Sequence, residues 1–181
     1  PSFVEDGIIT AGNASGLTDG AAALLLMSTA AAARAGHDPL ARVIDYQFTG
    51  VADLRDEMLL GPAMAIPPLL HRHGLAMQDI EVFELYEAFA AQILANQAAL
   101  ADADFARDVL ALPSPTGPIP EARLNAWGGS LALGNPFGGT GIRMLLTAAR
   151  RLRKSAGRYA VVATCAGGGL GAALLLERPA R

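Results

Sequence analysis

One cysteine and three histidines among 181 residues exclude a disulfide framework and leave no zinc-ligand spacing. The thiol of Cys165 is therefore free, and a reducing compartment, the cytoplasm, is expected. Charge is scarce as well: charged residues make up 17% of the chain, the net charge is −3 and the pI is near 5.6. That leaves no basic field for a nucleic acid or an anionic membrane. Locally, Arg143, Arg150, Arg151, Arg153 and Lys154 cluster in sequence and suit at most a phosphate contact. Long apolar runs are missing too; "GAAALLLM" and "GAALLLE" are too short to span a bilayer. No basic-then-apolar signal opens the chain. What is plentiful is apolar content, at 52%, which fits one compact domain or one domain plus a remnant. Opening on Pro1 rather than methionine points to a piece of a longer polypeptide or a processed terminus.

The pattern of elements is α/β. "DGIITAGNASGLTDG" is too rich in Gly, Asn, Ser and Thr for more than a short "IIT" strand and reads as a loop. Residues 21–28 and the alanine-rich stretch after them form either one helix or a buried strand followed by a helix. Strand then helix is the preferred reading, with Ser28 as N-cap and Gly36 as C-cap. A domain boundary is expected at His37–Pro39, after which "ARVIDYQFTGV" suits a strand. In "GPAMAIPPLLHRHG" a helix is expected to open at Pro67 or Pro68 and to end at Gly74. Alternation at Ile80, Val82 and Leu85 gives way near Tyr86 and Glu87 to a helical face of Phe89, Ala90, Ile93, Leu94 and Leu100. Residues 101–124 are proline-rich and irregular, an insertion or a capping loop.

From Thr140 to Ala156, Ile142, Leu145, Leu146, Ala149 and Leu152 make an apolar stripe opposite Arg143, Arg150, Arg153 and Lys154. "RYAVVAT" and "LGAALLLE" are strands of a covered sheet, joined tightly enough by "CAGGG" to form an antiparallel hairpin. The sum is a three-layer α/β/α domain with a mixed sheet.

Four loops have the composition of ligand sites. "NASGLTDG" offers backbone N–H groups and the Ser15 hydroxyl, although a Gly-rich turn would look the same. "YEAFA" puts Tyr86 and Glu87 at the carboxyl end of a strand, where α/β sheets bind ligands. The bland alternative is an edge aromatic and a first-turn carboxylate favoured by the helix dipole. "GGSLALGNPFGGTG" lets amides approach a ligand ahead of a helix N-terminus. It lacks the lysine of a phosphate loop and the acidic residue of a dinucleotide fold. "TCAGGGLG" ends a buried strand on Cys165, either a small buried hydrophobe or a thiol set for proton transfer beside free N–H groups.

In that order, "AGNASGLTDGAAA", "EAFAAQ", "NAWGGSLALGNPFGGTGIR" and "CAGGGLGAALLLE" resemble the C-terminal half of a thiolase over almost the whole chain. "EAFAAQILAN", "DFARDVL" and "GGSLALGNPFGGTG" look most like the thiolase subunits of the fatty-acid β-oxidation trifunctional complex. The resemblance implies a mixed five-stranded sheet, with residues 1–38 as the tail of the N-terminal thiolase domain and 39–181 as the C-terminal domain. It implies acyl transfer to CoA by a ping-pong route, with acyl-CoA as substrate and no permanent cofactor or metal. The nucleophilic cysteine of the family lies in the N-terminal half, so this chain alone is expected to be inactive. Cys165 matches the family's acid/base cysteine and Gly167 an oxyanion donor, while Ala14, Ser15 and Gly16 match a segment along the pantetheine arm. The expected partners are the N-terminal thiolase half, a second copy in a full-length dimer or tetramer, and a hydratase/dehydrogenase subunit.

Two positions depart from the family pattern. Gly134-Asn135-Pro136 stands where the family reads Gly-His-Pro, and Tyr86-Glu87 where it reads Asn-Glu or His-Glu. An amide at 135 keeps a hydrogen-bond donor and loses a base. General-base catalysis contributes on the order of 10² to 10⁴ in rate, so an enzyme relying on Asn135 is slowed by that factor unless another group substitutes. Tyr86 is a substitute donor, but a phenol is a poor base at neutral pH. The competing expectation is a degenerate thiolase that binds acyl-CoA as a scaffold or partner subunit; an unrelated CoA or nucleotide domain requires the four-motif order to be coincidence.

Overall fold

The two apolar runs near the C-terminus pair with each other. In the computed structural model, which describes residues 2–179, β3 (Tyr159–Ala166) and β4 (Leu170–Glu177) form an antiparallel hairpin. Gly168 and Gly169 close its turn at φ of 90° and 72°, values that L side chains avoid. β2 (Ile80–Leu85) runs parallel to β3, and β1 (Arg42–Gly50) antiparallel to β4. The result is a mixed four-stranded sheet in the order β1-β4-β3-β2.

Helices cover both faces, which is why the central strands read as continuous apolar runs instead of alternating ones. Phe83, Leu85, Val161, Ala163, Ala173 and Leu175 point towards α2 (Gly61–Arg72), against which α3 (Ala90–Ala101) packs. Val82, Ala160, Val162 and Leu176 point the other way, onto Met144, Ala148 and Leu152 of α5 (Thr140–Lys154). Each large apolar side chain buried in these layers contributes about 1.5–3 kcal/mol.

The sheet has four strands where five were expected. The place beside β2 is taken by an extended segment that makes a single parallel bridge, Phe83↔Leu124. Asn125 then imitates a strand with its side chain: its Oδ1 accepts from Leu85 N at 2.8 Å and its Nδ2 donates to Leu85 O at 2.9 Å. Its φ of 44° is a left-handed conformation that asparagine tolerates better than most residues.

Other expectations also need correction. Residues 21–28 form no strand; they have no regular structure, and Leu25 and Leu26 are 73% and 74% exposed. A strand needs a neighbour to take its backbone hydrogen bonds, and among the described residues none lies beside this segment. The helix after it, α1 (Thr29–Arg34), is capped by the Ser28 hydroxyl as expected, with Gly36 just beyond it at φ 68°. The "IIT" stretch supplies only an isolated bridge, Ser2↔Thr10. Pro67 and Pro68 sit inside α2, which opens at Gly61 with Pro62 in its first turn. Pro67 is buried and Pro68 partly buried on a helix that packs against β4, and that packing offsets the hydrogen bonds the prolines remove.

On α3 the inward face is Gln92, Asn96 and Leu100 with Ile93 beside them, and Leu94 is exposed. Asn96 is turned in because it caps another helix, accepting from Ala63 N at 2.8 Å and donating to Leu59 O at 2.9 Å. The basic cluster is dispersed: Arg151 is buried against Glu84 at 2.5 Å, Arg153 pairs with Asp38, and Lys154 lies over the Trp127 ring.

Candidate active site

Three of the four loops meet at the carboxyl ends of β2 and β3. Residues 14–17 are stitched to two of them by backbone. Ala14 bridges Phe89, Ser15 N donates to Ala88 O at 3.0 Å, Leu17 bridges Asn135, and Asn135 N donates to Gly16 O at 2.9 Å. The approach is close enough to require glycine. At Gly134, with φ 91°, a Cβ would lie 2.5 Å from the Thr18 methyl. The Ala14, Ser15 and Gly16 segment thus lies between the Tyr86–Phe89 turn and the loop carrying Asn135.

Asn135 and Tyr86 touch directly. Asn135 Nδ2 donates to Tyr86 Oη at 2.7 Å, and the Thr140 hydroxyl donates to Asn135 Oδ1 at 2.8 Å. Asn135 is only 4% exposed, whereas Tyr86 is half-buried. Tyr86 extends β2 by one residue, its N–H donating to Ala163 O at 2.9 Å, and its ring packs on the α5 side of the sheet.

Glu87 braces the loop from below. Its Oε2 accepts from Leu131 N at 2.9 Å, just inside the short helix α4 (Ser130–Leu133), and its Oε1 accepts from Asn125 Nδ2 at 2.5 Å. A Cβ on Gly129 would fall 2.2 Å from this carboxylate, so the backbone must pass there bare. Both oxygens of Glu87 are therefore engaged by donors of the fold.

Cys165 is the penultimate residue of β3, on the opposite, α2-facing side of the sheet, paired with Gly171 and 3% exposed. Burial pushes its thiol up to about 11, so it is protonated at neutral pH. The strands and α2 meet here without side chains: a Cβ on Gly171 would lie 2.5 Å from Gly61 Cα. Gly167 is exposed in the β3–β4 turn. Under the loops, burial raises the Glu84 carboxyl above the ordinary range, against the pull of Arg151 and Arg143. Thr140, Asn125 and Asn96 were not singled out by sequence reasoning. Asn125 and Thr140 lie inside the quoted "NAWGGSLALGNPFGGTGIR", but nothing in that string says that they bond to neighbours 5 and 40 residues away.

With this geometry in hand, the relatives are informative. The thiolase C-terminal domain family model matches residues 37–178, and the thiolase N-terminal domain model residues 1–30. The chain is similar to the mitochondrial trifunctional enzyme subunit beta of Rattus norvegicus, 46% identical over 98% of this chain and 37% of that protein. It is similar in structure to the acetyl-CoA acetyltransferase of Bacillus anthracis, with a TM-score of 0.81 and 37% identity over 99% of this chain and 41% of that one. Human mitochondrial 3-ketoacyl-CoA thiolase in complex with CoA gives a TM-score of 0.77 at 33% identity, over 99% and 41%. The chain thus spans about two fifths of the length of the proteins it matches. The expected cytoplasmic location is overturned by these relatives, several of which are named as mitochondrial. A lone free cysteine excludes an oxidising compartment's disulfide framework but does not tell one reducing compartment from another. With four motifs gathered on this fold and a family match over most of its length, the chain belongs to the thiolase family.

Proposed function

We propose that this chain is the C-terminal part of an acyl-CoA thiolase, a protein that cleaves or condenses 3-ketoacyl-CoA by acyl transfer to CoA. The observation that carries the reading is the stitching of residues 14–17 to the Tyr86–Phe89 turn and to Asn135, which gathers backbone amides, a phenol and an amide at the carboxyl end of β2. Residues 1–38 belong to the tail of the N-terminal thiolase domain and 39–181 to the C-terminal domain, a division supported by the two family-model spans.

In cleavage the bond between C2 and C3 breaks and its electron pair stays on C2. The protonated Cys165 thiol hands its proton to that carbon, while the acyl group passes to the nucleophile of the N-terminal half and then to CoA. The Gly167 N–H donates to the oxyanion that forms at C3 when the nucleophile of the N-terminal half adds to that carbonyl. Ala14, Ser15 and Gly16 run along the pantetheine arm. CoA and acyl-CoA are substrates, and no permanent cofactor takes part. Without the N-terminal half the chain is inactive; thiolysis by the pure 181-residue polypeptide would refute this. The partners are that half, a second copy of the full-length protein, and a hydratase/dehydrogenase subunit of the kind implied by the trifunctional relatives.

A second reading has its own observation. Asn135 is locked between Thr140 and Tyr86 and supplies no base, which favours a family member that binds acyl-CoA without turning it over. The full-length protein with Asn135 and with Asn135→His separates the two in a CoA-dependent assay of acetoacetyl-CoA cleavage. An enzyme that has adapted to the amide turns over at an ordinary thiolase rate, and the histidine variant gains less than tenfold. A binder is silent as found and gains roughly 10² to 10⁴ with histidine.

A further inference from the structure

Building on the acyl-CoA reading of this site, we propose that Tyr86 O–H donates the hydrogen bond to the thioester oxygen, and that Asn135 and Thr140 are positioning residues that aim it. The orientation of the Asn135 amide decides the matter, and the neighbouring backbone settles that orientation. Pro136 O already accepts from Gly139 N and Thr140 N, each at 3.0 Å. With both lone pairs engaged, it is a poor third partner for the Thr140 hydroxyl at 3.1 Å, and the hydroxyl hydrogen goes to Asn135 Oδ1 at 2.8 Å.

Asn135 Oδ1 is thereby fixed as an acceptor, and Nδ2 faces Tyr86 Oη at 2.7 Å. An amide nitrogen only donates, so Oη accepts and its own hydrogen is not consumed by this contact. Among the described residues no acceptor takes that hydrogen. Asn135 is turned inward while Tyr86 is half-buried at the carboxyl end of β2, beside the end of β3 that carries Cys165. Of the two side chains, the one with surface open to a ligand is the phenol. Accepting from the amide also polarises the O–H and makes it a stronger donor. The tyrosine and the asparagine thus act as one unit, in which the second aims the first.

The test uses the full-length protein and a ketone analogue of acetyl-CoA, carbonyl-labelled with ¹³C and unable to transfer an acyl group. A hydrogen bond to its oxygen moves the carbonyl resonance downfield. The unsubstituted protein is expected to show that shift. Tyr86→Phe, which keeps the ring packed, is expected to bind the analogue and lose the shift. Thr140→Val is expected to reduce it and Thr140→Ser to restore it, a rescue that a purely structural role at Thr140 does not predict. A shift that survives in Tyr86→Phe overturns the assignment and returns the donor to Asn135. If Tyr86→Phe does not fold, the threonine pair decides: equal shifts in Thr140→Val and Thr140→Ser overturn it. No binding by the unsubstituted protein removes the acyl-CoA reading and this assignment together, an outcome distinct from binding with an unchanged shift.

Discussion

Cys165 is the chain's only cysteine, and its burial has a measurable sign. Its thiol is raised from 9.0 to about 11 by desolvation. Between those values the unfolded chain releases a proton that the folded one keeps, so stability falls as pH rises from 9.0 towards 11. A ¹³Cβ-labelled cysteine followed by NMR is expected to titrate near 11; a midpoint at or below 9.0 would mean that the thiol is solvated or paired with a positive group. At this scale the sequence was most legible for identities and least for directions. That Asn135 lacks a base followed from its residue type alone. That its amide points at Tyr86, and that Glu87 is spent on Asn125 and Leu131, depends on contacts across 38 to 49 residues of chain.

Between elements, the sheet and α5 are joined by the buried pair Glu84–Arg151, with side chains 1% and 7% exposed. Arg151 also donates to Phe83 O at 3.2 Å and to Arg123 O at 2.9 Å, tying β2 to the segment that stands in for a fifth strand. Removing one partner leaves an unpaired buried charge, so Arg151→Met is expected to lose about 3–5 kcal/mol in urea unfolding. The double variant Glu84→Leu/Arg151→Met is expected to recover most of that loss, and a double variant as unstable as the single one would contradict this account.

Periodicity found the hairpin and α5 because their apolar runs are long and their ends are marked by Gly. It misjudged α2, since a proline rule written for isolated helices yields to burial against β4, and it overlooked the inward asparagine of α3, which serves a different helix. Arg151 was assigned to no buried role because an arginine on an amphipathic helix is ordinarily on the wet face.

For the whole molecule, the segment before α1 is the exceptional feature. Leu24, Leu25 and Leu26 are exposed, and an open groove of about 1650 Å³ lies between this segment, Pro39–Val43 and the Leu145/Ala149 face of α5. Apolar surface of this kind marks an interaction site or an aggregation liability. Leu25→Asp/Leu26→Asp in the 181-residue chain is expected to lower self-association in light scattering without changing the far-ultraviolet circular dichroism. Unchanged scattering would show that this face is not the one that associates. The expectation of a strand here was a reading of local pattern, and pattern cannot supply the neighbour that a strand requires.

The meeting of Gly61 with Gly171 carries a different lesson. There α2 and the strand beside Cys165 touch as peptide against peptide, so the seat of the helix is set by covalent geometry rather than by the fit of side chains. Contacts between side chains can be renegotiated, one partner shrinking as the other grows. This one has no such exchange open to it, because each partner is already the smallest residue there is. Drift at either position cannot be repaired at the other, and the start of α2 is held in place against the slow turnover that reshapes the rest of a protein's interior.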